Sequence, residues 1–263
     1  MDVVVNGEST EAPVASSQGD YYSNILLGLG YEPESLPLAD LLKIYHQLSG
    51  SWLIASPVHW EATHNSAMLR ATGKALDLSE DESRLWFDQV ADFLKADGFT
   101  PVYHDAQTWL FRVDDKPKIT SQSVHTLLHH PLMPVLRTLD DSLYWQRLIT
   151  ELQMYLSAHP LNTKRQDLVI NGLWFWGEGE LNRSKVREAI SDDELLFEAG
   201  LANSRLNSET KFRKDHLVVI KDPQHLADFK LVEKLKKFPV NWYWNNCSYS
   251  TKSTRWWSKF WRR

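Results

Sequence analysis

A chain of 263 residues with 29 Lys and Arg against 34 Asp and Glu has a net charge of −5, so no overall positive field recruits nucleic acid or an anionic surface. Its 43% apolar content is enough for a sizeable core, in one large domain or two small ones. The one cysteine, Cys247, excludes an internal disulfide and argues against a cysteine-built zinc cage, and no uncharged apolar run approaches the roughly 20 residues of a membrane helix.

Residues 1–20 are small and polar and are expected to be disordered or loosely attached. MDVVVNGESTEAPVASS lacks the basic and then apolar regions of a secretory signal, and a reducing cytoplasm is the expected location. Leu38, Leu41, Leu42, Tyr45 and Leu48 predict a helix over 36–48, ended by Gly50. Trp52–Ala55 and Val58–Ala62 read as extended pieces on either side of Pro57. His59, Glu61 and His64 invite comparison with the zinc-protease pattern H-E-x-x-H and fail it, because the histidines are five apart and Glu61 is not next to His59. Structural roles are favoured there.

Ser79-Glu80-Asp81-Glu82 is a capping box that opens a helix running to about Asp97, with Gly98 as its C-cap. Residues 99–104 and 107–113 predict a hairpin about Asp105-Ala106. His125 and His129, four apart on an expected helix, have a metal-compatible spacing without a clear third ligand, and a half-buried histidine face is favoured.

The stretch from Ser142 to Gly179 holds the clearest pattern. Trp145, Leu148, Ile149, Leu152, Tyr155 and Leu156 form one apolar face of a helix, with Asp140 or Asp141 at its start and Pro160 past its end. Leu168–Trp176 follows as a buried strand that stops at Gly177-x-Gly179, the kind of strand end where α/β proteins place ligands. Further on, Ser191-Asp192-Asp193 leads into a helix over 194–202, 216–220 reads as a strand and 226–237 as a helix. The end, TKSTRWWSKFWRR, interleaves bases with aromatics; its tryptophans are expected to dock on their own domain, with an interfacial anchor or a stacking surface as alternatives.

Several segments together resemble one family. LIASPVHWEATHNSAML, WQRLITELQMYLSAHPLN, NGLWFWGEGEL and ISDDELLFEAGLA stand in the order and rough spacing of RpfE-type bacterial regulatory proteins, a family also catalogued as cofactor-independent phosphoglycerate mutase. HPLNTKR…NGLWFWGEG is similar to a segment of archaeal-type phosphoglycerate mutases, members of the alkaline-phosphatase-like superfamily. The superfamily's chemistry, as the resemblance implies it, uses two metal ions, Asp and His ligands and a Ser nucleophile. This sequence departs from that pattern. No Asp-Gly metal motif closes an N-terminal strand, and no late Asp-x-x-x-His pairing follows. Asp141-Ser142, the nearest match to a nucleophile turn, reads as a helix cap, and Ser56 stands where an aspartate is expected before Pro57.

The resulting expectation is an α/β fold with a small mixed central sheet flanked by helices, partly alkaline-phosphatase-like, with α+β as the alternative. A disordered segment over 1–20 is followed by lobes over 21–120 and 121–263. The function expected is that of a regulatory or ligand-binding relative of the mutases without their catalytic apparatus. An active mutase or phosphohydrolase using His59, Asp192 and Asp193 is one alternative, and an interaction module docking a protein through the C-terminal tail is another. The ligand expected is small and phosphorylated or carboxylated, with no cofactor or metal. Its site is drawn from His159, Asn162, Arg165, Asn171, Trp174, Trp176, Gly177 and Gly179, with Arg165 as a bidentate fork and the Gly-Glu-Gly backbone as an anion cradle. The structural alternative is that Asn162 and Asn171 tie the helix-to-strand loop together while Arg165 pairs with an acid.

Overall fold

The computed structural model describes residues 1–10, 20–62, 66–165, 168–181 and 187–253. It is an α/β protein of helices and two sheets, in two compact units: Met1–Glu32 with Leu181–Arg263, and Pro33–Glu180. The chain begins in the first unit with strand β1 (Asp2–Val5) and helix α1 (Tyr21–Leu29). Asp20 caps α1 by accepting from Ser23 N at 2.8 Å, and Gly30 ends it in the left-handed conformation at φ +97°.

The second unit follows with α2 (Leu38–Tyr45), β2 (Trp52–Ala62) and β3 (Ala67–Thr72). Next come α3 (Glu80–Lys95) and the hairpin β4 (Thr100–Asp105) and β5 (Thr108–Arg112). Two short helices, α4 (Val124–Leu127) and α5 (Leu132–Leu136), precede α6 (Tyr144–Ser157) and β6 (Gly172–Trp176). All pairings in this five-stranded sheet are antiparallel: β2 pairs β5 through its first half, β3 through its second, and β6 along Ile54–Val58. Pro57 does not divide β2, which runs through it as one strand. Trp86, Trp109, Trp145, Trp174, Phe111 and Phe175 are fully buried, so tryptophan here plugs the core. The rings of Phe99, Phe111, Trp145 and Phe175 pack at 5.3–6.3 Å.

Back in the first unit come β7 (Ala189–Ser191), α7 (Glu194–Glu198), β8 (Ser204–Arg205) and β9 (Leu217–Ile220), then α8 (Phe229–Leu235), β10 (Val240–Tyr243) and β11 (Ser248–Thr251). The sheet order is β11-β10-β1-β9-β7-β8, parallel except for β11. Strand side chains alternate between faces. Val3, Val5, Val218 and Ile220 accordingly share one core cluster with Leu231 and Leu235 of α8. On the other face Gly28 of α1 lets the helix lie against Leu217, where an added Cβ would come within 2.8 Å of Leu217 Cδ1.

Three expectations are corrected. Residues 2–5 are not loose: β1 is central, paired with β9 and β10, which lie more than 200 residues away and leave no local signal. The chain does not divide near residue 120, because β5 and β6, on either side of it, join the same strand, β2. His125 and His129 do not share a helix, since α4 ends at Leu127 and His129 has φ +64°.

Candidate functional site

The segment singled out by sequence runs from the end of α6 to the turn after β6. His159 Nδ1 accepts from Leu161 N (3.3 Å) and Nε2 meets Gln89 Oε1 (3.2 Å), while its ring lies 5.0 Å from that of Trp86. Asn162 donates to the carbonyls of Leu156 (2.8 Å) and Ile170 (2.9 Å) and accepts from Ile170 N (2.9 Å), tying the helix end to the strand start. Asn171 accepts from Trp60 N (2.6 Å) and donates to Trp60 O (2.9 Å), replacing ladder bonds where β2 bulges between His59 and Trp60.

Arg165, with 8% of its side chain exposed, donates from Nε to Leu168 O (2.7 Å), from Nη1 to Glu82 Oε1 (2.5 Å) and from Nη2 to Leu76 O. The fork expected to grip a ligand is closed on the protein itself. Trp174 and Trp176 are buried, with their indole N–H groups donating to Gln122 O and Ser56 Oγ. Gly177 and Gly179 have φ of +86° and +127°. A Cβ on Gly177 would stand 3.2 Å from Ala39 N, and one on Gly179 3.3 Å from Pro37 Cβ, so the two glycines let the turn close onto the start of α2.

Beside that turn the second unit holds a cleft of about 510 Å³, whose wall includes Glu178, Gly179 and Glu180. The residue that sequence reasoning passed over is Glu178. Its Oε1 accepts from Ser121 N, and its Oε2 is shut off from water without a hydrogen-bond partner among the described residues. Burial pushes this carboxyl up to about 7. The signal available in the sequence was a lone acid between two glycines at the end of an apolar run.

Around the same cleft, Lys43 pairs with Asp40. Asp114, held below the usual carboxylate range by the Ser51 backbone N–H and by Arg112, is also satisfied. Lys116 donates to Asp97 O at 2.5 Å and lies over the Phe99 ring. Lys118 and Glu180 are exposed and have no ion-pair partner among the described residues.

In the first unit the secondary candidates Asp192 and Asp193 lie just past the carboxyl end of β7, on an edge of the parallel sheet where ligands commonly bind. Asp193 is fully buried. Its Oδ1 accepts from Leu195 N (3.1 Å), capping α7, and from Lys221 Nζ (2.8 Å), and its Oδ2 accepts from the Tyr21 hydroxyl (3.2 Å). Burial raises the Tyr21 phenol well above its ordinary range, with the Asp193 charge adding to the effect, so it remains the donor. Asp192 accepts from the backbone N–H groups of Lys221 (2.6 Å) and Asp222 (3.0 Å). Ser191, also fully buried, accepts from Asp193 N at 2.9 Å. β1 leads into Asn6-Gly7 at this same edge, with Asn6 N donating to Ile220 O at 2.9 Å.

His59 belongs to the other unit, on β2, and its Nδ1 donates to Val169 O at 2.9 Å. His64 and the tail residues 254–263 lie outside the described residues. Among the described residues no three His, Cys, Asp or Glu side chains are grouped to hold a metal, and no helix is long and apolar enough to cross a membrane. No family model, curated protein or solved structure matches this chain.

Proposed function

We propose that this chain is a regulatory, ligand-binding protein, akin to RpfE-type proteins and cofactor-independent phosphoglycerate mutases in scaffold, that does not perform two-cation phosphoryl transfer. The observation that carries this reading is the Lys221 ammonium 2.8 Å from the buried Asp193 carboxylate. A divalent cation needs carboxylate oxygens free to coordinate it. Here both oxygens of Asp193 are engaged by an ammonium, a phenol and a backbone amide, and both oxygens of Asp192 by backbone amides.

The resemblance calls for Asp-Gly after the first strand, and this chain has Asn6-Gly7. The hydroxyl at this edge, Ser191 Oγ, is buried and accepts a hydrogen bond, which is no arrangement for an activated nucleophile. The donor set does not fit two metal ions, and no reaction step is assigned to them. A reducing cytoplasm, where the buried, unpaired Cys247 stays a thiol, is the proposed location.

The test is turnover of 3-phosphoglycerate by the full chain with manganese, against the same protein with chelator. Rates equal to the chelated control are expected. Manganese-dependent interconversion of 3- and 2-phosphoglycerate, or release of phosphate, would sink the proposal.

A further inference from the structure

We infer that the cleft beside the Gly177-Glu178-Gly179 turn binds a small oxyanion, carboxylate or phosphate, and that binding draws a proton onto Glu178. This rests on the ligand-binding part of the function proposed above and adds the site, the ligand chemistry and its regulation.

The cleft, about 510 Å³, is large enough for a small metabolite. Its charges are mostly settled before a ligand arrives. α2 supplies Asp40 and Lys43, which pair with each other. The segment 113–119 supplies Asp114, paired with Arg112, along with Lys116 and Lys118. Lys116 is drawn to Asp97 O, which leaves Lys118 as the cleft cation without a partner among the described residues. Glu180 is an exposed acid on the same rim, and Ser121 and Gln122, on the segment facing Glu178, carry no charge. Among the described residues no histidine lines the cleft.

Glu178 is the wall residue left incomplete. One oxygen holds the Ser121 amide, and the other has lost water without gaining a partner. As a carboxylate it places an unpaired charge against the cleft and repels an anion. As a carboxylic acid it removes that charge, and an anion enters the cleft against less repulsion. An anion in the cleft therefore favours the protonated form, and by linkage protonation favours the anion. The balance is one proton from solvent joining the Glu178 carboxylate as the anion seats, with no covalent bond made or broken elsewhere.

The experiment is calorimetric titration of the full chain at pH 6 and pH 8, each in two buffers of different ionisation heat. The probes are glycerate for a carboxylate alone, glycerol 3-phosphate for a phosphate alone, and 3-phosphoglycerate for both. At least one is expected to bind, roughly five- to tenfold more tightly at pH 6 than at pH 8, with net proton uptake near pH 7. Whichever single-group probe binds identifies the source of the oxyanion.

Glu178→Gln should bind at both pH values without the extra uptake, and the ligand's own titration cancels between the two chains. Lys118→Ala, an exposed change, should weaken binding several-fold at both pH values. Binding by none of the probes, proton uptake that persists in Glu178→Gln, or unchanged affinity in Lys118→Ala would each overturn the inference. These outcomes are independent of the turnover assay, whose positive result would overturn the non-catalytic reading and leave the cleft unaffected.

Discussion

Replacing Glu178 by Gln asks the protein to keep the side chain's shape and give up its titration. The carboxyl rises from an ordinary value of 4.5 to about 7 because burial penalises the charge. Folded protein therefore holds a proton there, over the window from 4.5 to 7, that unfolded protein releases. Its stabilising share is fully present below 4.5 and is lost as pH rises through 7. At about 1.36 kcal/mol per unit, the two pKa values give a loss of about 2.5 kcal/mol between pH 5 and pH 8. The glutamine suffers none of this loss.

Glutamine does leave an amide where Oε2 had no partner, at a cost of about 1–3 kcal/mol that does not change with pH. The variant should thus be less stable than wild type at pH 5 and draw level or overtake it at pH 8. Urea unfolding followed by tryptophan fluorescence checks this, since Trp86, Trp109, Trp145 and Trp174 are buried in the unit that holds Glu178. A difference between the two chains that stays constant within about 0.5 kcal/mol from pH 5 to pH 8 would refute a buried, unpartnered carboxyl.

Arg165→Ala should destabilise the second unit by about 3 kcal/mol, since it strands Glu82 and two backbone carbonyls, and should leave oxyanion affinity unchanged. Chemical denaturation and the same titrations check the two halves of that statement. Gly177→Ala should cost about 1–3 kcal/mol, because φ is +86° and the new Cβ would press on Ala39 N, and its denaturation midpoint reads the loss. Asp193→Ala should cost about 2–4 kcal/mol, since it removes the α7 cap, orphans the buried Tyr21 hydroxyl and breaks the ion pair with Lys221. Thermal unfolding would show a lowered Tm.

What the sequence made legible was local. The Ser79 cap, the apolar face of α6 with its cap at Asp140, and the hairpin, whose turn falls at Ala106-Gln107, one residue past the expected Asp105-Ala106, are set by residues a few positions apart. The α/β class followed from those elements. What escaped was set at long range. Val3–Val5 form the middle of a sheet only because Leu217–Ile220 and Val240–Tyr243 come to them, and no periodicity of three valines announces that. The division into units was missed for the same reason: Ile54–Val58 pairs with 172–176, across more than a hundred residues.

For the polar residues expected at the candidate site the limit is a different one. Residue type reports hydrogen-bonding capacity, and only three-dimensional neighbours decide whether that capacity remains. Asn162, Arg165 and Asn171 are rich in donors and acceptors, and each stands where a bulge, a loop or a half-buried acid requires them. A polar side chain carried into an apolar interior is stable only once its groups are matched, so the better such a residue fits its fold, the less it can offer a ligand. Among the described residues, with the exposed rim acid Glu180 left to solvent, the cleft groups that the fold leaves unmatched are Glu178 Oε2, dry and unpartnered, and the Lys118 ammonium. Neither stands out by residue type or spacing. They stand out by subtraction, once the paired charges around the cleft have been set aside, and that is why the oxyanion is placed beside them and not in the closed fork of Arg165.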